Sequence, residues 1–170
     1  TFSELWTEYK YDNVSINGIE MSNENCTSFY STLSLNEYNI NIVMLHGQES
    51  DSTGMDKIKL SKLRNKNIDY LALGHIHSAQ SIGRDTVRYA GSPLKYSLSE
   101  IQQTKSVTVV SLEGKGSVAI DKIPLTPRRD MRKIKGKLSD LMKTTISLDD
   151  DDYIYAVLTD EDELYDAVGK

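Results

Sequence analysis

Cysteine is nearly absent from this chain. Cys26 stands alone among 170 residues, which excludes an internal disulfide and any thiolate cluster built within one chain. That usage fits a reducing compartment, and Cys26 itself reads as a small, half-buried packing residue. No apolar run approaches the roughly 18 residues that would suggest a membrane span, and the opening residues do not resemble a signal peptide. No membrane partner is therefore expected, and a cytoplasmic location is. Proline occurs three times, twice in the short stretch Pro124–Pro127. One tryptophan, Trp6, and ten tyrosines are too scattered along the sequence to read as a base-stacking platform. Histidine is rarer than tyrosine, and its distribution is far from scattered.

All three histidines, His46, His75 and His77, lie at the ends of two apolar runs. One run is Asn41-Ile-Val-Met-Leu-His-Gly47, and the other is Asp69-Tyr-Leu-Ala-Leu-Gly-His-Ile-His77. Both have strand length, and each suits a strand covered on both faces. The segment between them holds a polar loop, 48–56, and the pattern Ile58, Leu60, Leu63 of a short helix. Strand, helix and strand predict a βαβ unit with a parallel pair, which puts His46 and His75 at one edge of a sheet. Ligands gather outside the carboxyl ends of such strands.

In an extended segment, His75 and His77 point to the same side about 6.5–7 Å apart along the chain. That spacing suits ligation of two different ions about 3.5–4 Å apart. His46, from the neighbouring strand end, could complete the imidazole set of one ion. Gly47 and Gly74 beside these histidines let the backbone turn and leave room for ions and substrate. Nitrogen donors alone do not make a hydrolytic centre, because carboxylates must bridge the ions and activate water. Asp12, Asp51, Asp56 and Asp69 stand in loops or at a strand start rather than in a ligand motif. G-H-x-H as a bare pattern is common, and single histidines are usually structural or merely exposed.

Elsewhere the pattern predicts a half-buried strand at 14–19, a short helix around Phe29–Leu35, a strand at 86–90 and a hairpin of 106–112 with 117–123. Residues 1–12 show no clear period. Pro124-Leu-Thr-Pro127 is a stiff connector and the expected boundary between a domain over 1–125 and a second over 126–170. Beyond it, 131–135 and 153–158 read as strands, 138–143 as a helical turn, and Thr159 as a helix start.

The net charge of −5 is unevenly spread. Residues 126–137 carry a local +5, and residues 149–170 a local −8. Arg128, Arg129, Arg132 and Lys133 in the basic stretch would contact DNA phosphates without reading sequence, or they form an ordinary solvated strand face. The run Asp149–Asp152 reads as a solvated turn, since adjacent carboxylates repel and do not converge on one ion.

Several segments also carry a resemblance. IVMLHGQ at 42–48, DYLALGHIHS at 69–78, AGSPLKYSLSE at 90–100, SVTVVSL at 106–112 and PLTPRRDMRKIKG at 124–136 resemble the SbcD family of bacterial recombination nucleases. These are calcineurin-like metallophosphoesterases that work with an SbcC-type ATPase. The resemblance spans roughly residues 40–170. H-G and G-H-x-H alone would give only the superfamily, and the G-S-P turn and the P-L-x-P-x-R connector narrow it.

The resemblance implies an α/β fold. It would comprise half of a metallophosphoesterase β-sandwich flanked by helices, then the start of a small α+β capping domain. It implies that His46 and His75 share one divalent ion and that His77 serves its neighbour. Manganese is the first expectation for both ions, with magnesium, iron or zinc as alternatives. It further implies DNA exonuclease and endonuclease activity in double-strand-end processing, repair, recombination and replication, ATP used only through the partner, and a homodimer. The D-x-H, G-D and G-N-H-D motifs that supply the bridging aspartate, an asparagine ligand and the acid histidine are not in this sequence. The expectation is thus a piece of a longer protein, opening on Thr1 without an initiator methionine and inactive by itself, with its acid/base histidine upstream. Two other functions stay open: another calcineurin-like phosphoesterase acting on nucleotides or phosphoproteins, and a non-catalytic scaffold or DNA-docking piece.

Overall fold

The computed structural model describes residues 2–143 and 151–161. In chain order they form β1 (Thr7–Tyr11), β2 (Val14–Gly18), α1 (Phe29–Thr32), β3 (Ile40–His46), β4 (Gln48–Glu49), β5 (Lys57–Ile58) and β6 (Tyr70–Gly74). Then come β7 (Gln80–Ile82), β8 (Arg84–Tyr89), β9 (Ser106–Gly114), β10 (Ser117–Pro124), β11 (Met131–Gly136), α2 (Leu138–Leu141) and β12 (Tyr153–Leu158). Strands dominate, and the two α-helices are single turns. The chain divides into two compact units: Thr1–Pro93 with Lys105–Leu125, and Leu94–Thr104 with Thr126–Lys170.

The first unit is organised by a six-stranded mixed sheet of order β1-β2-β3-β6-β8-β7. Strands β2, β3, β6 and β8 run parallel, and β1 and β7 close the edges antiparallel. The expected parallel pairing of the two histidine-ended strands is present, with Val43 opposite Leu71 and His46 opposite Gly74. Because side chains alternate across a strand, Val43, Leu45, Leu71, Leu73, Val87 and Tyr89 share one face and are buried there. They pack with Phe29, Tyr30 and Leu33 from α1 and its continuation, and with Ile58, Leu63 and Ile68.

Two expectations need correction, and one strand has no sequence signal. The first of the two histidine-ended strands, β3, is not covered on both faces along its length. Ile42 is only half-buried, and Met44 is 41% exposed. A continuous apolar run signals two apolar faces, but it does not supply a cover for both. The helix expected after Ile58 is a 3₁₀ turn, Leu60–Lys62, preceded by the short strand β5. The stretch from Ile58 to Leu63 is too short to repeat an amphipathic α-helical stripe. Residues 7–11, which show no period, form β1. As an edge strand with four of five residues exposed, it has no buried face to impose one.

The β9–β10 hairpin, joined antiparallel as expected, is fixed at both ends of the parallel strands. At the strand starts, the Asp69 carboxylate accepts from Lys115 Nζ at 3.0 Å, the Gly116 amide at 2.9 Å and the Asn41 amide at 2.7 Å. At the strand ends, Lys105 reaches the histidine segment.

The second unit contains β11 and β12, paired in parallel, with α2 after β11. Lys95 and Asp130 form an ion pair at 2.8 Å within it. The expected helix after Thr159 and the residues 149 and 150 of the acidic run lie outside the described residues.

Candidate metal centre

The register of β3 and β6 decides which residues meet at the sheet edge. His46 ends β3 opposite Gly74, and His75 follows directly. The two imidazoles lie edge to face, with ring centroids 5.5 Å apart and planes at 86°. Gly74 makes that approach possible, since a Cβ there would come within 2.8 Å of His46 Nδ1. His75 itself has φ +107°, a conformation that costs a non-glycine residue about 1–3 kcal/mol and persists only where surroundings enforce it. Such strain concentrates at ligand-holding sites.

Two imidazoles binding one ion through nitrogens at about 2.0–2.1 Å have centroids roughly 5 Å apart, so the pair fits as two donors of a single ion. The same spacing is also that of an ordinary edge-to-face ring pair. Both rings are exposed, hence reachable by an ion and by substrate. Among the described residues, no group of three or more His, Cys, Asp or Glu side chains converges as a metal-holding set. His46 and His75 are brought together. His77, also exposed, is not gathered with them into such a set.

What the structure does fix is the main chain at His77. Its carbonyl accepts from Lys105 Nζ at 3.1 Å and from the Ser92 amide at 3.1 Å. Lys105 is only 6% exposed, and its ammonium also donates to Ser92 Oγ at 2.9 Å. Gly91 sits against this segment at φ +81°, where a Cβ would meet Ala79 N at 2.9 Å and His77 O at 3.0 Å. The G-S-P turn therefore acts as a clamp on the G-H-x-H segment. Lys105 gives no signal in the sequence, because a lone lysine normally marks surface.

Tyr89 holds the other loop. From β8 its hydroxyl donates to the Gly47 carbonyl and accepts from the Glu49 amide, both at 2.8 Å. Burial pushes its phenol up from the ordinary value. The residue after His46 is thereby tied to the core.

In the second unit, the acidic and basic stretches meet. Arg129 donates to Asp151 Oδ2 at 2.7 and 3.0 Å, and Arg132 Nε lies 2.8 Å from Asp152 Oδ2. Lys133 Nζ sits 5.8 Å from the centroid of the Tyr155 ring. Arg128 is exposed. The pairs of Arg129 and Arg132 neutralise part of the local positive charge that the sequence displays.

No protein-family model matches the chain. Over 103 residues it is 32% identical to the SbcD component of the SbcCD nuclease of Staphylococcus epidermidis, a stretch covering 60% of this chain and 28% of that protein. The matched stretch thus spans less than a third of that relative's length, and over it the match supports an SbcD-like relationship.

Proposed function

We propose that this chain carries the imidazole wall of a two-metal phosphodiesterase acting on DNA, as part of an SbcD-type nuclease. The observation that supports it most is the meeting of His46 and His75 at adjacent parallel strand ends. His46 and His75 would hold one divalent ion and His77 its neighbour, with manganese first and magnesium, iron or zinc as alternatives. Bound there, such a pair polarises a phosphoryl oxygen and lowers the pKa of an attacking water.

The chain's own residues prepare that site. Gly74 admits the His46 ring, Tyr89 fixes the turn after His46, and Lys105 with Ser92 holds the backbone of His77. Bridging carboxylates and a proton-transfer histidine would have to come from outside these residues. The exposed Arg128 and Lys133 would contact phosphates, while Arg129 and Arg132 first have to leave their aspartates. An SbcC-type ATPase, double-strand DNA ends and a second copy of the intact protein are the partners this function calls for. No helix among the described residues is long and apolar enough to cross a membrane.

Zn²⁺ is the sharper probe, because imidazole affinity rises from manganese to zinc. Calorimetric titration of the chain with Zn²⁺ should show binding that weakens at least about ten-fold in His46→Ala and His75→Ala, a loss of about 1.4 kcal/mol. The same chain with Mn²⁺ should leave duplex DNA uncut. Binding indifferent to both substitutions would remove the metal assignment, and cleavage by these residues alone would overturn the placement of the carboxylates elsewhere.

A further inference from the structure

The acidic end of the chain contains a face of different character. β11 and β12 pair so that Met131 lies opposite Tyr153, Lys133 opposite Tyr155 and Lys135 opposite Val157. Alternation places all six on one face of the ribbon, and the Lys133 ammonium over the Tyr155 ring agrees. The opposite face is the one α2 approaches, since a Cβ at Gly136 would lie 3.2 Å from Leu141. On the first face Tyr153 is 60% exposed and Tyr155 42%, and Lys133 and Lys135 are exposed as well.

Three described aspartates nearby are engaged at the ends of the ribbon. Asp151 takes Arg129, Asp152 takes Arg132 and the Asp130 amide, and Asp160 accepts from the Leu138 amide. Two lysines and two aromatic rings lie across the middle, with the Tyr153 side chain hydrogen-bonded to Arg129 at one end and the Lys133 ammonium near the Tyr155 ring.

We propose that this ribbon face binds single-stranded DNA, with bases stacked on Tyr153 and Tyr155 and phosphates held by Lys133 and Lys135. This rests on the proposed action on DNA and narrows it to an unpaired strand. Tyrosines two apart on a strand are separated by about 6.6 Å, whereas stacked bases in a duplex rise about 3.4 Å. Neighbouring bases must therefore part from one another to use both rings, which a flexible single strand does and a duplex does not. The cation over Tyr155 is no obstacle. At an exposed site that contact is worth about two- to five-fold in affinity, while a stacked base contributes about five-fold to over a hundred-fold. A base can displace the ammonium, which then meets the adjoining phosphate.

The test is fluorescence anisotropy of a labelled oligothymidylate with the whole chain at low salt in EDTA. Chelation makes the result independent of the histidine site, so the zinc titration and this assay can fail separately. The chain should bind, with affinity falling as salt rises. Tyr153→Ala and Tyr155→Ala should each weaken binding about ten-fold, and Tyr155→Phe should keep it. A fully paired duplex of the same length should bind more weakly and be indifferent to both alanines. Absent binding, alanine variants equal to the parent, or a duplex bound as tightly as the single strand would each overturn the proposal.

Discussion

Replacing Tyr89 by phenylalanine deletes one oxygen atom from a site that is 1% exposed. The ring stays in the core, so there is no large cavity cost of the kind that follows truncation to alanine. Two backbone groups lose their partner together, the Gly47 carbonyl and the Glu49 amide, each bonded at 2.8 Å. Leaving a buried polar group unsatisfied costs about 1–3 kcal/mol. Glu49 is exposed and water can reach its amide in part, so the combined loss should be about 2 kcal/mol rather than the sum of two full penalties. Against a typical total of about 5–15 kcal/mol, that is a substantial fraction. Urea unfolding should show a lower midpoint at unchanged slope, since the area exposed on unfolding hardly alters. Native-state exchange of the Glu49 amide should accelerate by about thirty-fold, the same 2 kcal/mol expressed as a ratio. A stability loss under about 0.5 kcal/mol with Glu49 exchange unchanged would refute the claim that this hydroxyl ties down the turn after His46.

Two further outcomes follow from the groups that anchor the hairpin. Burial pushes the Asp69 carboxyl up, but bonds from the Asn41 amide, Lys115 and the Gly116 amide outweigh it and hold the carboxyl below its ordinary value. A carboxyl lowered by folding stabilises fully above its unfolded value of about 3.9, and that contribution disappears as pH falls through the folded value. Thermal unfolding against pH should therefore fall off steeply below about pH 4, and Asp69→Asn should lower stability near neutrality while flattening that acid limb; an unchanged limb would count against Asp69 as its source. Lys105→Met keeps the alkyl stem but removes the donor to the His77 carbonyl and Ser92 Oγ. It should cost about 1–2 kcal/mol and speed exchange of the Ser92 amide, which donates to the same carbonyl, so that unaltered exchange would show the clamp to be held by something else.

The strands that carry the histidines were legible because their apolar runs are long and end abruptly at H-G and G-H. Parallel pairing followed from the distance between them, and the meeting of His46 and His75 followed from that pairing. What lay beyond reach was every contact set by an alternation or approach that no local pattern marks. Lys105 is buried because a carbonyl awaits it 28 residues away. Arg129 and Arg132 looked like a free basic run until the return of the chain at β12 set Asp151 and Asp152 beside them. Tyr153 and Tyr155 seemed two of ten scattered tyrosines, and only the register with Lys133 makes them neighbours of charge. The unusual φ of His75 has no sequence signature at all, since it belongs to a histidine and not to a glycine.

The pairing of His46 with Gly74 also determines where the chain can change length. A residue inserted among the exposed positions 51–53 enlarges a surface loop, and each doubling of such a loop costs only about 0.6 kcal/mol. A residue inserted between Asn41 and Leu45 slips the strand by one, turning Val43 and Leu45 outward and carrying His46 past the glycine that admits its ring. Related sequences should accordingly vary freely in length between the two histidine strands and hardly at all within them.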